Sequence, residues 1–374
     1  MVARSGSKPK IVRYAVVGLG HIAQVAVLPA FKHATKNSRL TAIVSDDAEK
    51  RSQIGEMYGL SRTYSYAQFD ECLASGDVDA VYIALPNTMH REFAERAAKA
   101  GVHVLCEKPM AVTEEECQSM IAACAGNSVK LMIAYRLHFE PANLRAIEIV
   151  KSGQIGEPKY FNSSFSLPVI EGNIRVEREM GGGTMYDIGV YCINAARYLF
   201  QANPLEVTAM SANSGEARFE GVDETTGVVM RFPEERIAAF VCSFSGADIS
   251  SFQIIGTKGV LRLEPAYDYA TRLKHYLTID GKTKSKTYAQ KDQFAPELIY
   301  FSNCILRNKE PEPSGEEGLI DVHIVRAIYE SAKSGKTVKL DDLPVEKPPD
   351  TSQEITRPAV RKPELVNVSS PSGE

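Results

Sequence analysis

The chain has 374 residues, 44% hydrophobic and 24% charged, with a formal net charge of −4. That length holds two ordinary domains with sizeable cores, and the slight acidity argues against a nucleic-acid binder, which needs a basic face. Seven scattered cysteines without a CxxC pair argue against a disulfide framework or a zinc site and fit a reducing compartment. The start is polar and basic and no long apolar run follows, so neither a signal peptide nor a membrane span is read and the expected location is the cytoplasm.

The first third alternates short apolar runs with amphipathic helical patterns. Residues 11–18 read as a buried strand and 22–31 as the helix after it; 40–44, 78–85, 102–106 and 131–134 read as further strands. Phe93, Ala97 and Ala98 fall at helical spacing, and Gly101 is a suitable C-terminal cap. Thr113 and Glu116 form a capping box that opens the next helix. This alternation predicts an α/β architecture that begins with a Rossmann dinucleotide-binding domain over residues 11–139, preceded by a flexible N-terminus at 1–10.

Pro141 opens a helix ending near Gly153. After it, residues 160–167, 205–212, 227–232, 237–245, 252–255 and 260–263 look like successive strands, with one helix at 184–200 among them. This predicts a C-terminal α+β domain over 140–343, with a large, mostly antiparallel open sheet, for substrate binding and oligomerisation. Helices at 296–307 and 316–334 close it. Residues 344–374, rich in Pro, Ser, Thr and charge, read as a flexible tail or as an arm for a partner subunit.

Gly18-Leu19-Gly20-His21-Ile22-Ala23 is a G-x-G-x-x-A fingerprint in its required context, after a strand and opening a helix. Gly18 permits the tight turn, Gly20 lets the backbone approach a pyrophosphate, and Ala23 allows close helix–strand packing. The helix N-terminus offers free N–H groups to the phosphates. At the end of the second strand, Asp46 or Asp47 suits the ribose hydroxyls of NAD, whereas Ser45, Lys50 and Arg51 suit a 2′-phosphate. The local chemistry leaves that choice open. Further candidate cofactor contacts are Leu85, Pro86, Asn87 and His90 after the third strand, Glu107 and Lys108, and Arg136.

Cys106-Glu107-Lys108-Pro109 follows a parallel strand, and the C-terminal ends of such strands are where ligands bind in this fold. A lysine there can bind a substrate hydroxyl and supply positive charge where an alkoxide develops. In mid-chain, Gly181-Gly-Gly-Thr-Met-Tyr-Asp187-Ile-Gly-Val-Tyr191 puts a carboxylate and a phenol four residues apart, on one face of a helix. A phenol is a poor base at neutral pH, and a neighbouring ammonium such as Lys108 would favour its phenolate. Lys108, Asp187 and Tyr191 are therefore the candidate catalytic residues. Arg175, with Arg136 and His138, is a candidate polar wall for a sugar pocket. No metal site is expected.

GLGHIA, CEKPM and GGGTMYDIGVY occur in that order, and the chain resembles the Gfo/Idh/MocA oxidoreductase family across nearly its whole length. Together with AVYIALPNTMH, YRLHFEP and SGEEGLIDVHIVRAIYE, these segments look most like the glucose–fructose and aldose–aldose oxidoreductases of that family. Many members carry histidine where this chain has Tyr191; the glucose–fructose subgroup has tyrosine. The resemblance implies Lys108 and Tyr191 as the catalytic pair, Asp187 binding sugar hydroxyls, and NADP(H) held at its 2′-phosphate through Ser45 and Lys50. Asp46 departs from the subgroup, which has glycine there. The resemblance also implies a homodimer or homotetramer built on the open sheet. The expected activity is oxidation of a pyranose aldose, glucose-like, at its anomeric carbon to a lactone, with a second sugar as a possible acceptor. An inositol or 1,5-anhydrofructose-type enzyme and a non-catalytic dinucleotide sensor are the alternatives. No nucleic-acid or membrane partner is expected.

Overall fold

Short apolar runs followed by helices pair in parallel, as the alternation predicts. In the computed structural model, which describes residues 11–340, 343–344, 346–361 and 363–373, they are β1 (Val12–Val17), β2 (Ser38–Val44), β3 (Thr63–Tyr64), β4 (Ala80–Ile83), β5 (His103–Cys106) and β6 (Leu131–Ile133). Their order is β3-β2-β1-β4-β5-β6, the doubly wound arrangement in which a crevice opens at the strand ends where the order reverses. Alternate residues of β1 feed opposite cores: Ala15 and Val17 pack on one face of the sheet, Tyr14 and Val16 on the other. Burial on both faces explains why these strands read as apolar runs rather than as alternations. Residues 1–10, expected to be flexible, lie outside the described residues.

The second sheet contains β7 (Pro158–Ser166), β8 (Glu206–Ala212), β9 (Thr225–Phe232), β10 (Arg236–Ser243), β11 (Ile249–Gly256), β12 (Gly259–Leu263), β13 (Leu273–Ile279), β14 (Lys282–Tyr288) and β15 (Val338–Lys339). The order is β14-β13-β12-β11-β7-β10-β9-β8-β15, and β7 and β10 alone among these neighbours run parallel. One face packs on the helices Pro141–Lys151, Val190–Phe200 and Gly315–Ser334 through Phe161, Phe240, Ile254 and Leu261. The other face is open and carries exposed Tyr160, Val229, Ile237, Val241 and Ile249.

Two helices differ from expectation. The helix after β1 begins with a π turn at Ala23–Val27, where the N–H of Leu28 reaches back to the Ala23 carbonyl. Pro29 follows, and its missing N–H cannot continue a regular ladder. The helix expected over 184–200 likewise opens as a π turn, Met185–Gly189, before Val190–Phe200. Such turns interrupt the i→i−4 ladder and recur at functional sites; here one follows the glycine fingerprint and the other carries Asp187.

Behind the seam between the sheets lies a buried polar cluster. Arg197 pairs with Glu317 at 2.8 Å and Asp321 at 2.7 Å, and Tyr198 donates to Glu317 while meeting His138 Nε2. His138 is therefore buried and held by the Tyr198 hydroxyl. The tail also departs from expectation. Its described residues run over the same chain: Arg357 Nε donates to the His33 carbonyl, and Val366 is buried against the first helix. Among the described residues no helix is long and apolar enough to cross a membrane.

Candidate active site

The glycine fingerprint, the Cys106–Pro109 turn and the Gly181–Tyr191 run lie at the crevice end of the parallel sheet or facing it. Gly18 has φ +93°, and a Cβ there would stand 2.3 Å from the Ala84 carbonyl oxygen, so β1 and β4 approach too closely for a side chain. At Gly20 a Cβ would meet nothing within 4 Å: the turn opens onto free space before a helix N-terminus, the cradle a pyrophosphate needs. Leu19 is buried beneath the turn, so it can contribute only backbone.

At the end of β2 both acidic side chains are already engaged. Asp46 accepts from the Tyr66 N–H at 2.7 Å, and Asp47 caps the next helix by accepting from the Lys50 N–H at 3.0 Å. Arg51 donates to the Ser45 carbonyl, and Lys50 Nζ lies 3.6 Å from Asp47. The mouth of this end of the crevice thus combines Ser45 with two cations.

After β4, Asn87 donates to the Gly181 carbonyl at 2.8 Å and ties the Rossmann half to the glycine run. His90 is a correction to the cofactor set. It is fully buried, Nε2 meeting the Leu85 carbonyl at 2.9 Å and Nδ1 the Pro109 carbonyl at 3.0 Å. It braces the Lys108–Pro109 turn from behind, and burial pushes its imidazole below the ordinary histidine value. The Glu107 side chain is a second correction. It accepts from Tyr82 at 2.8 Å, beneath the turn, and Tyr82 also lies 3.4 Å from the buried Glu297. Burial raises both carboxyls, Glu297 well above the ordinary range.

Lys108 points across the seam. Its Nζ donates to the Asp187 carbonyl at 2.8 Å and to Asp187 Oδ1 at 3.1 Å. Arg175 Nε holds the other oxygen, Oδ2, at 2.6 Å. Gly182 makes this possible, since a Cβ there would be 2.4 Å from the Arg175 carbonyl oxygen. Burial opposes the charged carboxylate, but Arg175 and Lys108 outweigh it and hold Asp187 at about 2. Burial likewise opposes the Lys108 ammonium, and Asp187 in turn holds it above the usual lysine value.

Tyr191 sits between two cations. Lys108 Nζ is 5.0 Å and Arg136 Cζ 4.8 Å from its ring centroid. Arg136 is 6% exposed, held by the Gln293 side chain and the Tyr267 carbonyl, and within reach of the Tyr191 hydroxyl. Its place is against the phenol, and its two hydrogen-bond partners are neutral. Phe165 and Tyr267 flank the same ring at 5.7 and 5.9 Å, giving the phenol an apolar bed. Sequence reading missed Gln293 and Tyr267; isolated polar and aromatic residues far along the chain carry no local signal for this role.

A dinucleotide crevice facing a lysine, a carboxylate and a phenol defines a nicotinamide-dependent oxidoreductase. The comparisons agree. Residues 12–135 match the model of an oxidoreductase family with an NAD-binding Rossmann fold, and residues 143–262 match the GFO/IDH/MocA C-terminal domain. The chain is 34% identical to D-xylose 1-dehydrogenase [NADP(+)] of Haloarcula marismortui, over 88% of its own length and 93% of that protein. It is 30% identical to D-xylose 1-dehydrogenase (NADP(+)) 2 of Haloferax volcanii, over 88% and 99%. The aldose–aldose oxidoreductase of Caulobacter crescentus, solved with glycerol, superposes with a TM-score of 0.84 at 37% identity, covering 88% of this chain and all of that one. The chain belongs to the Gfo/Idh/MocA oxidoreductase family.

The clamp on Asp187 has a pH signature. A carboxylate whose folded value is depressed stabilises the fold fully above its unfolded value near 4, and that stabilisation fades as pH falls through about 2. Between about pH 5 and pH 2, Asp187→Asn should therefore lose about 2 kcal/mol less stability than the parent. Urea unfolding across that range measures the difference; parallel pH slopes would contradict the clamp.

Proposed function

We propose that the chain is an NADP(H)-dependent sugar dehydrogenase that oxidises an aldopyranose at its anomeric carbon to a lactone. The observation that carries this is Tyr191, placed between the positive charges of Lys108 and Arg136 at the end of the dinucleotide crevice. The names of the relatives support the substrate class, two xylose dehydrogenases and an aldose–aldose oxidoreductase. Lys50 and Arg51 beside Ser45 supply the positive charge that a 2′-phosphate needs, which favours NADP(H) over NAD(H).

When bound, the oxidised nicotinamide supplies the acceptor for the C1 hydride. In this reading the Tyr191 oxygen takes the proton of the anomeric hydroxyl as the C1–H bond breaks. Arg136 and Lys108 favour negative charge on that oxygen, while Lys108 and Asp187 orient sugar hydroxyls. Leu19, Gly20, His21 and Ile22 would hold the pyrophosphate through backbone groups, with Leu85, Pro86 and Asn87 beside the nicotinamide ribose. Glucose-like and xylose-like sugars both suit this chemistry, and the aldose–aldose relative favours a second, coupled reading in which another sugar reoxidises the bound cofactor.

Assays with NADP+ and a panel of xylose, glucose and myo-inositol test the reading. Tyr191→Phe should lower kcat by about 10²- to 10⁴-fold with dinucleotide binding kept. Arg136→Met should lower kcat/KM by about 10²-fold, and Arg136→Lys should restore part of it. Turnover of no sugar by the parent, or full activity in Tyr191→Phe, would overturn it.

We also propose a homodimer or homotetramer through the open sheet. Tyr160 and Ile237 are register partners on adjacent strands, and Val229, Val241 and Ile249 are exposed on the same face. Val241→Asp should shift sedimentation towards the monomer; a monomeric parent would contradict the interface.

A further inference from the structure

Residues 366–373 take no part in the chemistry above, yet they touch three places around the crevice. The first is the helix that follows the fingerprint. Gln24 Nε2 donates to the Val366 carbonyl at 2.9 Å, and Gln24 Oε1 accepts from the Val366 N–H at 2.8 Å. The same amide donates to the Leu19 carbonyl at 2.9 Å, within the G-x-G turn. Gln24 and Val366 are 3% and 5% exposed, and Val366 shares a core cluster with Leu19, Ala23 and Val27. This is a buried, fully hydrogen-bonded anchor.

The second contact is at the other wall of the cofactor end. Asn367 Nδ2 donates to Glu49 Oε2 at 2.8 Å, in the first turn of Ala48–Met57, one residue before Lys50. The third is across the seam. The Ile170 N–H donates to the Pro371 carbonyl at 2.9 Å, and a Cβ on Gly373 would stand 3.2 Å from Ile170 Cγ2. Ile170 leads into the loop that brings Arg175 to Asp187. Three residues lie between Asn367 and Pro371, and four residue steps reach at most about 14 Å. The segment thus bridges the Rossmann half and the substrate half by a short path, beginning at the fingerprint and the 2′-phosphate end.

We propose that residues 366–373 form a cofactor-retaining strap, a further wall of the dinucleotide site that slows release of NADP(H). The strap rests on the dinucleotide reading above. A dinucleotide laid over the Gly-rich turn lies along the crevice that this segment spans. The buried Gln24–Val366 anchor is the fixed end. The contact at Ile170, itself 37% exposed, is the end that can lift. Such a strap favours repeated use of one bound cofactor, as coupled oxidation and reduction of two sugars requires.

The test uses the full-length protein loaded with NADPH. Nicotinamide fluorescence is followed in stopped flow as excess NADP+ displaces it. Ile170→Cys with Gly373→Cys replaces Ile170 Cγ2, 3.2 Å from a Cβ at 373, by a sulfur within disulfide reach. Oxidation, checked by mass spectrometry, should slow NADPH release by about tenfold or more, and dithiothreitol should restore the faster rate. Asn367→Ala with Ile170→Ala should release NADPH several-fold faster than the parent. Equal release rates in the oxidised and reduced forms would overturn the strap while leaving the cofactor reading intact. Failure of the parent to bind NADPH would overturn both.

Discussion

The site depends on one carboxylate held between two cations. Asp187 belongs to the substrate half, Lys108 to the Rossmann half, and Arg175 to the loop that covers them. With one oxygen on Lys108 and the other on Arg175, Asp187 cannot be moved without leaving charge unpaired in a mostly buried seam. The surrounding features serve this geometry. The tightly packed Gly182 lets the Arg175 loop close, the π turn presents the Asp187 carbonyl as well as its side chain, and His90 braces the lysine turn from below.

Charge is then divided between two tasks. The Lys108 ammonium is largely satisfied by Asp187, so it serves best as an orienting donor. Arg136 hydrogen-bonds to neutral partners and is the second charge beside Tyr191. A phenol acting as a base needs such a charge, and burial strengthens it by excluding water. The carboxyl pair Glu107 and Glu297 lies on the far side of the turn around Tyr82, where it shapes the backbone of the lysine motif.

Much of this was legible in the sequence wherever local pattern and chemistry agree. Apolar runs marked the buried parallel strands, the fingerprint marked the crevice, and Lys108, Asp187 and Tyr191 stood out by spacing and motif. What escaped has physical reasons. Strand β14 alternates Lys with Thr and Ser and offers no apolar face, because it is an exposed edge guarded by charge. Its Asp280-Gly281 turn, with φ of +49° and +71°, was the one signal of that hairpin. The π turns, the burial of His90 and the partners of Arg136 arise from tertiary packing. The tail reads as disordered by composition, but Gln24 supplies it with a buried partner from 342 residues away.

The central claim is that hydride leaves the anomeric carbon of an aldose in this site. Its most direct test is turnover of xylose or glucose deuterated at C1 with NADP+, followed by mass spectrometry of the reduced cofactor. The account predicts NADPH carrying the deuterium. Reduced cofactor without the label would show that the hydride comes from another carbon and would contradict it.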